Sequence, residues 1–266
     1  MSSFAPVSGF EPHQVFRIGS PDRRSVVLLH EMPGLSEKTF ALAQCLHDHR
    51  LTVYLPLLFG SVGQDNATRG YIQACLRGPF ACSASSTTSP VVTWIEALCR
   101  RASELSSAPV GVIGMCITGS FPLALLRDRA VGAAVVCQPT LPFSVIRGGP
   151  ADDQKTDLGV SGKDLAEALR SDVSILGLQY TRDPKSPDYR MDRLEDIFKE
   201  RVAVARIDGD RHSTLVGDFN SAAFADTVNY LKVRLRADPG PKAMQIAKLR
   251  GGVACEITPS GRWRPV

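Results

Sequence analysis

The chain has 266 residues, 44% of them hydrophobic, and a formal net charge of +4. That length carries a full core and allows one large domain or two small ones, the mild charge argues against a nucleic-acid surface on the main body, and no run reaches the roughly 18 apolar residues that a membrane span needs. The seven cysteines are scattered, odd in number and free of any CxxC pair, so neither a disulfide framework nor a zinc site is expected, and a reducing, cytoplasmic setting fits.

The opening stretch MSSFAPVSGFEPHQ has no charged segment followed by an apolar one, so no secretory signal is expected. SVVLLHE (25–31) is a short apolar run ending in polar residues, the pattern of a buried strand. LSEKTFALAQCLHDH (35–49) has helical spacing, with Ser36 as N-cap and Phe40, Ala43 and Leu46 on one face. LTVYLPLL (51–58) reads as a strand stopped by Pro56. The span 60–89 is rich in Gly, Ser and Thr and reads as a long loop with one helical turn near 71–76. VVTWIEALCRRASEL (91–105) is an amphipathic helix.

A strand is expected over 110–115, a helix over 121–127 and a strand over 132–139. The span 141–157 is irregular. Helix 162–170, strand 172–180, helix 191–201, strand 202–208 and helix 219–236 complete the pattern, with no internal repeat. From Asp238 the chain has no clear period and carries five cations (Lys242, Lys248, Arg250, Arg262, Arg264) against two anions (Asp238, Glu256). The expected organisation is one domain over 1–237 and a basic tail over 238–266. Short apolar strands alternating with helices imply a mostly parallel sheet covered on both faces. In such sheets, sites form where loops leave the carboxyl ends of the strands.

Cys116 falls at such an end, in VGVIGMCITGS, where a buried strand hands over to a helix. A tight strand–turn–helix exposes the reactive atom, favours small neighbours such as Gly114, and places a helix N-terminus behind the sulfur. The backbone N–H of Ile117 is then available to an oxyanion. His212, in IDGDRHSTLVGDF after the last strand, can reach a neighbouring strand's tip and act as base and then acid. Asp183, in LQYTRDPKSP, can orient that histidine. The chain order Cys116, Asp183, His212 is that of nucleophile, acid and base in α/β-hydrolases. Glu31 ends an apolar run, so its carboxylate must be paired or protonated. Close to the cysteine it could hold or exchange the thiol proton, and the N–H of Met32 after it suits a second oxyanion donor.

At these residues the sequence resembles the dienelactone hydrolase family of α/β-hydrolases. HEMPGL, GMCITG, RDPKSP and DRHSTL carry the resemblance, which runs from about Val26 to Arg236. It implies an α/β-hydrolase fold, a Cys116–His212–Asp183 triad with Glu31 taking part in thiol activation, a small-molecule ester or lactone substrate, and neither metal nor cofactor. Two positions depart from the family. Thr118 stands where glycine is usual two residues after the nucleophile, so a wider turn is expected. Val216 stands four residues after the histidine, where enzymes acting on dienelactone place a carboxylate-binding arginine; Arg69 and Arg77 in the long loop are the candidates to replace it. The reaction so implied is hydrolysis of an activated ester or lactone through a thioester. Acyl transfer to another acceptor, and a non-catalytic small-ligand binding protein of the same fold, are the alternatives.

Overall fold

The computed structural model describes residues 5–7, 13–63, 88–140, 158–235, 255–257 and 263–265. An eight-stranded sheet runs through the molecule. Its strands are β1 (Ala5–Val7), β2 (Val15–Ile18), β3 (Ser25–Leu29), β4 (Thr52–Pro56), β5 (Val110–Met115), β6 (Val131–Cys137), β7 (Ile175–Tyr180) and β8 (Val202–Ile207). The spatial order is β1-β2-β4-β3-β5-β6-β7-β8. From β4 to β8 every neighbouring pair is parallel. The β1–β2 and β2–β4 pairs at one edge are antiparallel.

The helices are α1 (Glu37–Asp48), α2 (Pro90–Ser106), α3 (Phe121–Leu125), α4 (Gly162–Arg170), α5 (Tyr189–Phe198) and α6 (Ser221–Arg234). Side chains alternate across a strand with period two, and the two layers follow from that. Val27 and Leu29 of β3 face a cluster built with α2, α3 and α5. Val26 and Leu28 face the other cluster, with α1 and α6. Because β3, β4, β5 and β7 are buried along their whole length, they read as unbroken apolar runs, as central parallel strands do. The expected cap of α1 forms. Ser36 accepts the Thr39 N–H at the start of α1, and Pro90 and Pro122 sit in the first turns of α2 and α3, where their missing N–H costs nothing.

Four strands were not expected. β1 and β2 lie within the first 18 residues, where no element was expected, and in β2 four residues with half-buried Phe16 and Arg17 leave too little pattern to identify a strand. Within the basic tail, β9 (Cys255–Ile257) pairs antiparallel with β10 (Trp263–Pro265); strands of three residues carry no legible period. No helix among the described residues is long and apolar enough to cross a membrane. The turn expected near 71–76 and the irregular span 141–157 lie outside the described residues.

Candidate active site

β5 ends at Met115, and Cys116 opens a 3-10 turn, Cys116–Thr118, that leads into α3. The Cys116 backbone is left-handed, with φ 54°. That conformation costs a non-glycine residue roughly 1–2 kcal/mol, so the surrounding contacts must impose it. They are tight. A Cβ on Gly114 would lie 2.3 Å from the Thr118 carbonyl oxygen and 2.6 Å from Pro122 Cδ. A Cβ on Gly119 would lie 2.7 Å from Pro139 Cα. Glycine is therefore required two residues before and three after the cysteine. Among the described residues Cys116 is half-buried, whereas Cys45, Cys99 and Cys137 are buried, and burial pushes the Cys99 and Cys137 thiols up, away from reactivity.

Thr118 does not widen this turn. Its side chain is fully buried, and its hydroxyl accepts the Met115 N–H at 3.1 Å. The hydroxyl oxygen lies 3.0, 3.2 and 3.3 Å from the carbonyl oxygens of Met115, His30 and Leu29, which can accept its proton. The β3–β5 ladder keeps its register to Leu29 opposite Gly114. Bulk that was expected to separate strand and helix instead ties the turn to the end of β3.

Asp183 and His212 follow β7 and β8, which are paired up to Tyr180 opposite Ile207. The two loops are thus neighbours. His212 Nδ1 lies 2.7 and 2.9 Å from the two Asp183 carboxylate oxygens. Asp183 is held in turn by the N–H groups of Lys185 and Ser186, at 2.8 and 3.1 Å on Oδ1. Nδ1–H therefore donates to the carboxylate and Nε2 is left for chemistry. Burial alone would depress the imidazole pKa, but the Asp183 carboxylate and the Cys116 thiol outweigh it and raise the pKa to about 9. Nε2 is buried and makes no well-aligned hydrogen bond among the described residues; catalytic contacts of this kind commonly tighten only when substrate binds.

Glu31 sits at the end of β3 and is buried. Its oxygens are both engaged, Oε1 by the Ser213 hydroxyl at 2.5 Å and Oε2 by the Gln138 amide at 3.3 Å. Burial raises the carboxyl pKa, opposed by Ser213, His212 and Gln138. These bonds run to the histidine loop and the end of β6. Met32 follows, half-buried, and packs with Cys116 and Trp94 against the α2-side cluster. The Met32–Pro33 peptide is cis. Ile117, next to Cys116, is buried in that same cluster. Val216 is buried in the opposite cluster, under α1 and α6, so its side chain belongs to the core. Arg69 and Arg77 lie outside the described residues.

Gln138, Ser213 and Thr214 were missed. Gln138 has a left-handed backbone, φ 33°, and is fully buried. Its only sequence signal is a polar residue closing the apolar run GAAVVC, the same signal that marked Glu31. Among the described residues no group of three His, Cys, Asp or Glu is placed to hold a metal ion.

No family model matches the sequence, and no curated protein matches it. Solved structures do. A protein of Klebsiella pneumoniae subsp. pneumoniae MGH 78578 described as a candidate dienelactone hydrolase superposes with a TM-score of 0.63 at 13% identity, over 86% of this chain and 98% of that one. An esterase of Pyrococcus furiosus gives 0.62 at 14% identity, over 88% and 93%. A cold-adapted esterase from an Arctic intertidal metagenomic library gives 0.56 at 16%, over 88% and 93%. The chain therefore has the α/β-hydrolase fold, as the resemblance implied.

Proposed function

We propose that the protein hydrolyses activated carboxylic esters or lactones, with Cys116 as nucleophile, His212 as general base and acid, and Asp183 as the group that orients His212. The observation that carries this reading is the left-handed Cys116 at the tip of β5, beside a histidine whose ring is held by a buried aspartate. Fold-level likeness supports a hydrolase but does not choose the chemistry; the residues at the strand ends support it independently.

In this scheme His212 Nε2 takes the Cys116 proton, and the sulfur attacks the substrate carbonyl carbon. The N–H groups of Met32 and Ile117 donate to the oxyanion. The carbon–oxygen bond to the leaving group then breaks, and the proton on Nε2 passes to the departing oxygen. A thioester remains. Water gives its proton to Nε2 and adds to the thioester carbonyl; the carbon–sulfur bond breaks and the thiol is restored. Asp183 stabilises the imidazolium formed in each half.

A thiolate leaves readily, so the tetrahedral intermediate returns to substrate unless the other group leaves as easily. Aryl esters, enol lactones and thioesters should therefore turn over, and alkyl esters of the same acid should not. Turnover of an aryl ester by wild type and by Cys116→Ala tests the assignment. Loss in a folded variant supports it; equal rates would sink it.

A further inference from the structure

Three strand ends meet in a buried chain of hydrogen bonds that the scheme above leaves unused. β3 contributes Glu31, β6 contributes Gln138, and the loop after β8 contributes Ser213 and Thr214, all four buried. The Gly217 N–H donates to Ser213 Oγ at 2.6 Å, and Ser213 Oγ–H donates to Glu31 Oε1 at 2.5 Å. Thr214 Oγ1–H donates to Gln138 Oε1 at 2.7 Å, and Gln138 Nε2 donates to Glu31 Oε2 at 3.3 Å. Both limbs therefore direct their protons to Glu31, which ties the end of β3 to the histidine loop and to the end of β6.

Ser213 immediately follows His212. The backbone around the pair is a tight turn, in which Asp218 Oδ2 accepts the N–H groups of His212 and Ser213 at 3.1 and 3.2 Å and Ser213 O accepts the Asp218 N–H at 2.8 Å. Asp183 holds Nδ1 with both of its oxygens, but Nε2 makes no well-aligned bond among the described residues, so the ring can still swing about Nδ1. The remaining constraint has to come from where the loop itself is fastened, and the Glu31 carboxylate fastens it at Ser213.

We propose that Ser213 is a positioning residue and that Glu31 works through it, fixing the His212 ring against Cys116 rather than acting on the thiol itself. This rests on reading Cys116 and His212 as nucleophile and base. A displacement near 1 Å at such a contact is enough to cost about a hundredfold in rate.

The test is the pH profile of Cys116 alkylation by iodoacetamide in the full chain, read at the Cys116 peptide by mass spectrometry. Wild type, His212→Ala, Ser213→Ala, Glu31→Gln and the Ser213→Ala/Glu31→Gln double variant are compared. In wild type a histidine-dependent limb should keep the thiol reactive near pH 6, and His212→Ala should remove it. Ser213→Ala should lower the pH 6 rate about tenfold, a modest misplacement on that scale. The double variant should be no worse than the poorer single one, because the two residues form one path. A wild-type profile for Ser213→Ala, or effects that multiply in the double variant, would overturn the proposal while leaving the nucleophile and base in place. If His212→Ala matches wild type, the reading beneath the proposal fails and the proposal falls with it. Should Ser213→Ala not fold, Gln138→Met removes the other limb at similar volume and must lower the same pH 6 rate; no change there overturns the proposal.

Discussion

The loops after β3 and β8 each bury a histidine, and the two are driven in opposite directions. His30 is enclosed among neutral groups: Nδ1–H donates to the Glu31 carbonyl at 3.1 Å, Nε2 accepts the Leu58 N–H at 3.0 Å, and the Phe59 ring stands edge-on to it. Burial pushes its pKa down to about 4, opposed by the bond to the Glu31 carbonyl and assisted by the charge of His13. His212 also suffers burial, yet a carboxylate and a thiol carry it up to about 9. Both are buried, His30 completely and His212 nearly so, and their chemistry differs. A buried imidazole becomes a fastener when all its partners are neutral, and a proton carrier when an anion waits on one nitrogen and the other is free.

Removing that anion should break the contrast most sharply. Asp183→Asn keeps the shape, withdraws the charge and disturbs the tautomer of His212, and should lower kcat/KM for an aryl ester by about a thousandfold or more. Steady-state kinetics checks this, and a loss below tenfold would mean that His212 is not the base.

Next in size is the pH dependence of stability. Unfolded His30 binds a proton below about 6.5, whereas folded His30 does so only below about 4. The unfolded state therefore holds more protons between those values, and stability should fall as pH drops from about 6.5 to about 4. The loss is on the order of 3 kcal/mol. Denaturant unfolding of wild type and His30→Gln would separate this contribution. His212 has the opposite sign. Its folded pKa lies above the unfolded one, so its contribution is complete below about 6.5 and is lost as pH rises toward about 9.

Thr118→Ala should be milder, costing about 1–2 kcal/mol by orphaning the Met115 N–H; urea midpoints would measure it, together with a fall in aryl-ester turnover as the turn loosens from β3. The smallest effect is expected outside the site. Arg206 pairs with Asp188, Asp192 and Glu195 on the outer face of β8. These pairs are partly exposed, so Arg206→Ala should cost no more than about 1 kcal/mol and leave turnover unchanged.

The parts of this site that could be read directly are those encoded by neighbours in the chain. An apolar run, a glycine, a cysteine and then a helical pattern specify a strand–turn–helix because local sterics permit little else. Asp183 and His212 were legible as polar residues just past expected strands. The role of Thr118 was misread, since its hydroxyl meets carbonyls 88 and 89 residues away.

The alternation of buried strands and helices, and with it the parallel sheet and the edge where its loops gather, is written in the order of residues along the chain. That follows from periodicity and from short-range sterics. The direction of the Glu31 carboxylate emerges from the fold alone, because its partners Gln138 and Ser213 stand 107 and 182 residues away. A buried carboxylate must find donors, but which donors it finds depends on the strand order that brings β3, β6 and β8 to one edge.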